Sequence, residues 1–226
     1  TLTQAEGVYL AMGLTTFHDD GSLHENKLVL LDPAGEAVLT YHKTYLVPFA
    51  EEGVFVAGEG TIPVVETPFG RIGAVICYDI DHHQFIAQLA GQEVDMLLVP
   101  VGDWAEIGRT HLDMSRLRAV EQGMTVVRAA RGGISAVISP RGEVLASLNR
   151  TDAHVDGTLV EPPMPASMGV MVAEAPAQSG ITTLYSLLGD AFAWVNLLAL
   201  ATLVVLAFIR RRVRVDDMVA TKPSPA

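Results

Sequence analysis

Between Thr67 and Trp104 the chain reads TPFGRIGAVICYDIDHHQFIAQLAGQEVDMLLVPVGDW, and the order of its parts leaves few folds open. Pro68-Phe69-Gly70 marks a turn, and Arg71 to Ile76 is an apolar run of strand length. A bend carries Cys77, His83 to Ala90 reads as a helix, and Met96 to Val101 is a second apolar strand. Cys77 therefore falls at the C-terminal end of a strand, the edge of an α/β sheet where ligands and nucleophiles collect. A thiol there also has a plainer reading, as a small buried apolar side chain.

The flanking segments have the same mixed character. Val8 to Leu14 reads as a strand. Lys27 to Leu31 and Ala37 to His42 flank Asp32-Pro33-Ala34-Gly35, a turn-forming tetrapeptide, and predict a hairpin. Tyr41 to Glu52, YHKTYLVPFAEE, leaves a strand and enters a loop at Pro48, carrying Lys43 and, eight residues on, Glu51. Thr110 to Gln122 has helical spacing, with Leu112, Leu117 and Val120 on an apolar side, Arg116, Arg118 and Glu121 on a charged one, and Gly123 as its stop. Thr125 to Ala129, Ser135 to Ser139 and Val144 to Leu148 read as strands, the last two joined by a turn at Pro140-Arg141-Gly142. Hairpins alternating with two helices imply a layered α/β domain rather than a bundle.

Half of the 226 residues are hydrophobic, more than one such domain needs for its core. The surplus lies at the C-terminus. Ala191 to Ile209, AFAWVNLLALATLVVLAFI, is uncharged, and about 19 residues of helix cross a hydrocarbon layer of about 30 Å. Arg210, Arg211, Arg212 and Arg214 follow at once, the flank expected on the cytoplasmic side, so the globular part is expected outside. Glu161 to Gly180 has no regular period and reads as a connection to that helix, and Asp216 to Ala226 as a polar tail.

Charge follows the same division. Residues 1–189 carry 10 Lys and Arg against 23 Asp and Glu, whereas residues 191–226 carry 5 against 2. An acidic head argues against nucleic-acid binding. With a single cysteine the chain forms no internal disulfide, so an extracytoplasmic Cys77 is a free thiol that needs a reason, and reactivity is one. Asp79, Asp81, His82 and His83 are metal-ligand types, but neighbouring histidines at a helix start rarely converge on one ion, and no metal or cofactor is expected.

Lys43 in YHKTYLVPFAE, Cys77 in GAVICYD, the DMLLVPVGDW strand end and RLRAVEQGMTVVRAARGGISAVISPRGEVLA together resemble the carbon-nitrogen hydrolase (nitrilase) superfamily. Within it they are similar to the apolipoprotein N-acyltransferase branch, whose ending ITTLYSLLGD before a last membrane helix also resembles. The resemblance implies a nitrilase-like αββα sandwich, N-terminally incomplete, over residues 1–160, a linker at 161–183, a transmembrane helix at 184–209 and a cytoplasmic tail at 210–226. It implies Cys77 as nucleophile, Lys43 as the triad lysine and Glu51 as an additional glutamate. Tyr78, Asp79 and Trp104 would lie near the oxyanion site. The family's general-base glutamate has no match here, which leads to the expectation that this stretch begins after it and is inactive alone.

The activity so implied is transfer of a fatty acyl chain from a membrane phospholipid, through a thioester on Cys77, to the N-terminal amine of a lipoprotein. The setting would be a bacterial inner membrane with the catalytic domain outside. Such chemistry needs a thiol activated by a base or cation, since a free thiol titrates near about 8.5, and a donor for the tetrahedral oxyanion, a role suited to Lys43. Asp79, where the acyltransferase pattern has glutamate, and the loop Gly102-Asp103-Trp104 depart from that branch. An extracytoplasmic amidase and a membrane-tethered, non-catalytic binding protein are the alternatives.

Overall fold

The computed structural model describes residues 1–104, 106–149, 170–177 and 181–220. Contacts divide the chain into two units, Thr1–Leu187 and Leu188–Ala226. The first opens with a short helix, α1 (Leu2–Glu6), ahead of strand β1 (Leu10–Thr16), where the sequence predicts only a strand. Thr1 caps it, its hydroxyl accepting from the Gln4 N–H while the Gln4 side chain reaches back.

β1, β2 (Glu25–Leu31) and β3 (Ala37–His42) form a three-stranded antiparallel sheet. The predicted turn at Asp32–Gly35 joins β2 to β3, with the Gly35 N–H donating to Asp32 O at 2.9 Å. The second sheet has six strands in sequence order: β4 (Val64–Thr67), β5 (Gly70–Ala74), β6 (Met96–Gly102), β7 (Thr125–Arg131), β8 (Ile134–Ile138) and β9 (Val144–Asn149). β5, β6 and β7 are parallel and the outer pairings antiparallel, so the two hairpins, at Pro68–Phe69 and at Pro140–Gly142, bracket a parallel centre. The sheets face one another: a Cβ on Gly13 of β1 would lie 3.0 Å from Cβ of Pro100 in β6. Leu28, Leu30, Leu39 and Tyr41 from the first sheet join Ile72, Leu97, Val99 and Val126 from the second in one buried cluster.

Two helical expectations are corrected. His83 to Ala90 is not one helix. A 3₁₀ turn at Cys77–Asp81 leads into α2 (His83–Ile86) and a second 3₁₀ turn at Ala87–Leu89, short tight turns that bury Ile80, Phe85, Ile86 and Leu89 together. α3 (Gly108–Gln122) exists, but its inward face differs in part from the sequence reading: Leu112 is buried as expected, and Leu117, Val120 and Arg118 are not where the spacing put them. Leu117 and Val120 are exposed, while His111, Leu112, Ser115, Arg118, Ala119 and Gln122 are buried. This inward stripe keeps helical spacing, but much of it is polar because it packs on a polar site, described below.

α3 ends at Gly123, whose φ of +69° and N–H bond to Ala119 O make a left-handed stop. The same glycine admits a returning segment: an added Cβ would lie 2.3 Å from Ile181 O. Thr183 donates its hydroxyl to Glu121 O, and Thr125 donates to Pro176 O at 2.5 Å, so residues 170–177 and 181–187 are pinned to the end of α3 and the start of β7. Gly123→Ala is expected to destabilise the domain by at least about 2 kcal/mol, from left-handed strain plus a backbone clash, read as a lowered thermal midpoint.

The expected linker at 161–183 lies partly outside the described residues, since 161–169 and 178–180 are not described; neither are tail residues 221–226. The helix expected over 184–209 is two: α4 (Leu184–Leu188), which ends at Gly189 with φ +53°, and α5 (Ala191–Ala220). α5 runs through the arginines, which are good helix formers and give no stop signal. Its Ala191–Arg211 stretch has a mean hydropathy of 2.4 and none of it is buried, so it is long and apolar enough to cross a membrane.

Candidate active site

Cys77 lies just beyond β5, where Val75 still donates its N–H to Leu98 O in β6. The chain then turns sharply, and Cys77 has φ +49°, left-handed geometry that a residue with a Cβ adopts at a cost of about 1–2 kcal/mol. Such strain persists only where the surroundings enforce it, and it lifts the thiol off the strand end. Asp79 supplies the enforcement. Wholly buried, its carboxylate accepts from the Ile76 N–H at 3.0 Å, the Tyr45 N–H at 2.7 Å and the Tyr41 hydroxyl at 2.7 Å. One side chain thus ties the cysteine turn to the lysine loop. Burial pushes the Asp79 carboxyl up; the hydrogen bonds from Tyr45, Tyr41 and Ile76 and the charge of Lys43 pull it back.

Lys43 follows β3, its N–H bonded to Asn26 O and its carbonyl to the Gly58 N–H. Only 1% of it is exposed, a rare state for a lysine and one that demands a partner. The partner is Glu51: Nζ donates to Oε2 at 2.5 Å, and the same oxygen accepts the Val47 N–H at 2.8 Å. Lys43, Glu51 and Cys77 are therefore brought together from a strand end, a loop and a turn. Burial pushes the Cys77 thiol up; Lys43 and a backbone hydrogen bond from Gly102 pull it down, and Asp103 and Glu51 push it up again. At neutral pH the group rests as a thiol and needs a base to react.

The other expected site residues fall differently. Asp79 organises the two loops as an acceptor and offers no donor to an oxyanion. The Tyr78 ring meets His82 edge-on, with centroids 4.8 Å apart, and His82 stacks on Tyr45 at 3.7 Å. Trp104 is 48% exposed at the end of β6. Asp79, Asp81, His82 and His83 do not converge: Asp79 is spent on the hydrogen bonds above, and Asp81 faces His111 at 3.4 Å.

A second buried cluster behind Cys77 escaped the sequence reading. Asp103 pairs through Oδ2 with Nη2 of Arg128 and through Oδ1 with Nδ1 of His111, the latter at 2.7 Å. Arg128 also donates from Nε to Ile134 O at 3.0 Å and from Nη1 to the Ser115 hydroxyl at 3.4 Å. Candidate ligand atoms of Cys77, Asp103 and His111 lie within 4.8 Å of one another, close enough to gather round a cation. Both Asp103 oxygens already hold other partners, so the group reads as a hydrogen-bonded cluster. Arg128 itself was the available signal, a cation in the middle of the strand TVVRAAR, between apolar neighbours, that needs a buried partner.

The chain is similar to several known proteins. The rat (Rattus norvegicus) deaminated glutathione amidase is 31% identical over 140 residues, covering 55% of this chain and 42% of that protein. The Pseudomonas aeruginosa apolipoprotein N-acyltransferase is 30% identical over 135 residues, covering 50% of this chain and 26% of that protein. Among solved structures, an amidase from Nesterenkonia sp. superposes with a TM-score of 0.60 at 25% identity, covering 66% of this chain and 59% of that one. A variant of that amidase, carrying the result of Michael addition of acrylamide at the active site cysteine, superposes with a TM-score of 0.57 at 26% identity, covering 66% and 61%. The chain thus spans less than half the length of these two curated relatives. The family model for carbon-nitrogen hydrolases matches residues 1–158, and the chain belongs to that family.

Proposed function

We propose that the protein is a membrane-tethered acyltransferase that moves a fatty acyl chain from a phospholipid to the N-terminal amine of a lipoprotein through a thioester on Cys77. The observation that carries the lipid substrate is the pairing, in one chain, of a Cys77–Lys43–Glu51 group centred on a buried lysine with an apolar helix long enough to span a bilayer. In the first half-reaction the thiol gives up its proton, the sulfur attacks the ester carbonyl, and the C–O bond breaks as lysophospholipid leaves with a proton. In the second the amine attacks the thioester, the C–S bond breaks, and an amide forms as the thiol is restored. Lys43 stabilises the oxyanion of both tetrahedral intermediates and Glu51 orients it. Glu51 and Asp103 are both committed to cations, so neither is assigned as the base that takes the thiol proton.

The test is transfer of a labelled acyl chain from phospholipid vesicles to a lipopeptide bearing a free terminal amine. Labelled product, lost in Cys77→Ala, supports the reading. Ammonia release from small amides without acyl transfer would instead select an amidase, the second reading, which the amidase relatives and the solved amidase fold favour.

Topology gives a separate prediction. Arg210, Arg211, Arg212 and Arg214 are expected to hold the C-terminal end in the cytoplasm and the catalytic domain outside. In a Cys77→Ala background, a cysteine placed at exposed Ser22 should react fully with a membrane-impermeant maleimide on intact cells. Labelling that starts only once the membrane is opened would reverse the orientation.

A further inference from the structure

We infer that Asp103, paired with Arg128, is a positioning residue for the nucleophile: the pair fixes the end of β6 against the Cys77 turn, where a carboxylate oxygen of Asp103 lies within 4.8 Å of the sulfur, and its opposite charges balance one another there. The inference deepens the proposed function and rests on Cys77 being the nucleophile.

Gly102 is the last residue of β6, and its backbone pulls the Cys77 thiol down. Asp103 comes next and is gripped from three sides. Arg128 of β7 holds one oxygen and His111 of α3 the other. The turn between β7 and β8 presses on it as well, since a Cβ added to Gly133 would lie 2.7 Å from both Cβ and Oδ2 of Asp103. The Arg128 side chain is wholly buried and is fixed in turn by Ile134 O and Ser115. A buried ion pair of this kind adds little net stability, because desolvation of the two charges offsets their attraction. Its position suggests another use. The charged groups bearing on Cys77 are Lys43 and Glu51 from the β3 side and Asp103 and Arg128 from β6 and β7; His111 of α3 lies within 4.8 Å of the sulfur, and Asp81 of the 3₁₀ turn stands beyond it, 3.4 Å from His111. Lys43 opposes Glu51 and Arg128 opposes Asp103, so removing one partner of the Asp103–Arg128 pair leaves a bare charge close to the sulfur.

The experiment measures the rate at which iodoacetamide, a neutral reagent, alkylates Cys77 as a function of pH, together with turnover. Asp103→Asn keeps the size of the side chain and leaves Arg128 uncompensated, so the alkylation midpoint should move down by about one unit. Arg128→Gln leaves the carboxylate uncompensated and should move it up by a similar amount, whereas Arg128→Lys keeps the charge and should return it towards the parent value. Gly133→Ala leaves every charge in place and displaces the carboxylate, and should lower turnover about tenfold. Midpoints that move the same way in Asp103→Asn and Arg128→Gln, or an unmoved midpoint in folded Asp103→Asn, would overturn the inference. If Arg128→Gln does not fold, Asp103→Asn and Arg128→Lys decide it alone. Iodoacetamide reads the thiol whether or not it is catalytic. Turnover that survives Cys77→Ala would therefore sink the proposed nucleophile while leaving the charge balance separately measured.

Discussion

In an active form of the protein, one that has the base the thiol needs, replacing Cys77 by alanine is expected to lower turnover by about a millionfold, the scale on which a hydrolase loses activity when its nucleophile is removed. The thiol is the chain's one free nucleophile of its kind, set at φ +49° on a turn that Asp79 holds in place. No neighbouring side chain supplies a substitute, because Lys43 is engaged by Glu51 and Asp103 by Arg128 and His111. The alanine variant should also fail to accumulate an acyl group that hydroxylamine releases, while its stability changes by less than about 1 kcal/mol, since a single atom is lost. An acylated species that persists in this variant would place the nucleophile elsewhere.

Changes at Lys43 are expected to have the next largest effect. With 1% exposure and a 2.5 Å bond to Glu51, the site has no space for a guanidinium, and a planar fork does not reproduce the compact ammonium donor. Lys43→Arg should therefore lower turnover by about a hundredfold to a thousandfold, the usual loss for one oxyanion donor. Lys43→Met separates the electrostatic part. Because Lys43 pulls the Cys77 thiol down, its removal should shift thiol reactivity to higher pH, with less thiolate at any given pH. Glu51 would lose its cation, and since its side chain is 17% exposed the destabilisation should fall below that of a fully buried pair, at about 2 kcal/mol. Near-parental turnover together with an unmoved pH profile in Lys43→Met would make Lys43 a structural cation only.

Asp79 holds the site together from within. Where the acyltransferase pattern carries a glutamate, this chain has the shorter acid, and that acid is used internally to join the turn of Cys77 to the loop of Lys43. A longer side chain would have to place its carboxylate about one methylene further out, past the three donors. The departure is thus compatible with an intact site and bears on how the two loops are spaced.

Local sequence determined a good part of this protein. Turn chemistry at Asp32–Gly35, Pro68–Phe69 and Pro140–Gly142 set three hairpins, and short apolar runs between them set the strands, because turn types and strand periodicity depend on near neighbours. The uncharged run after Ala191 set a long helix for the same reason. Cys77 at a strand end was legible, and so was Lys43 with Glu51, the latter only through resemblance. What the tertiary structure decided lay at long range. The Tyr41–Asp79 bond joins residues 38 apart and the Asp103–Arg128 pair residues 25 apart, separations that no helical or strand period encodes. The same distance in sequence hid the true face of α3. Hydrophobic spacing pointed to Leu112, Leu117 and Val120; Leu112 is buried, but β6 and β7 set Asp103 and Arg128 beneath the helix, and His111 and Ser115 turn inward to bond them in place of the other two.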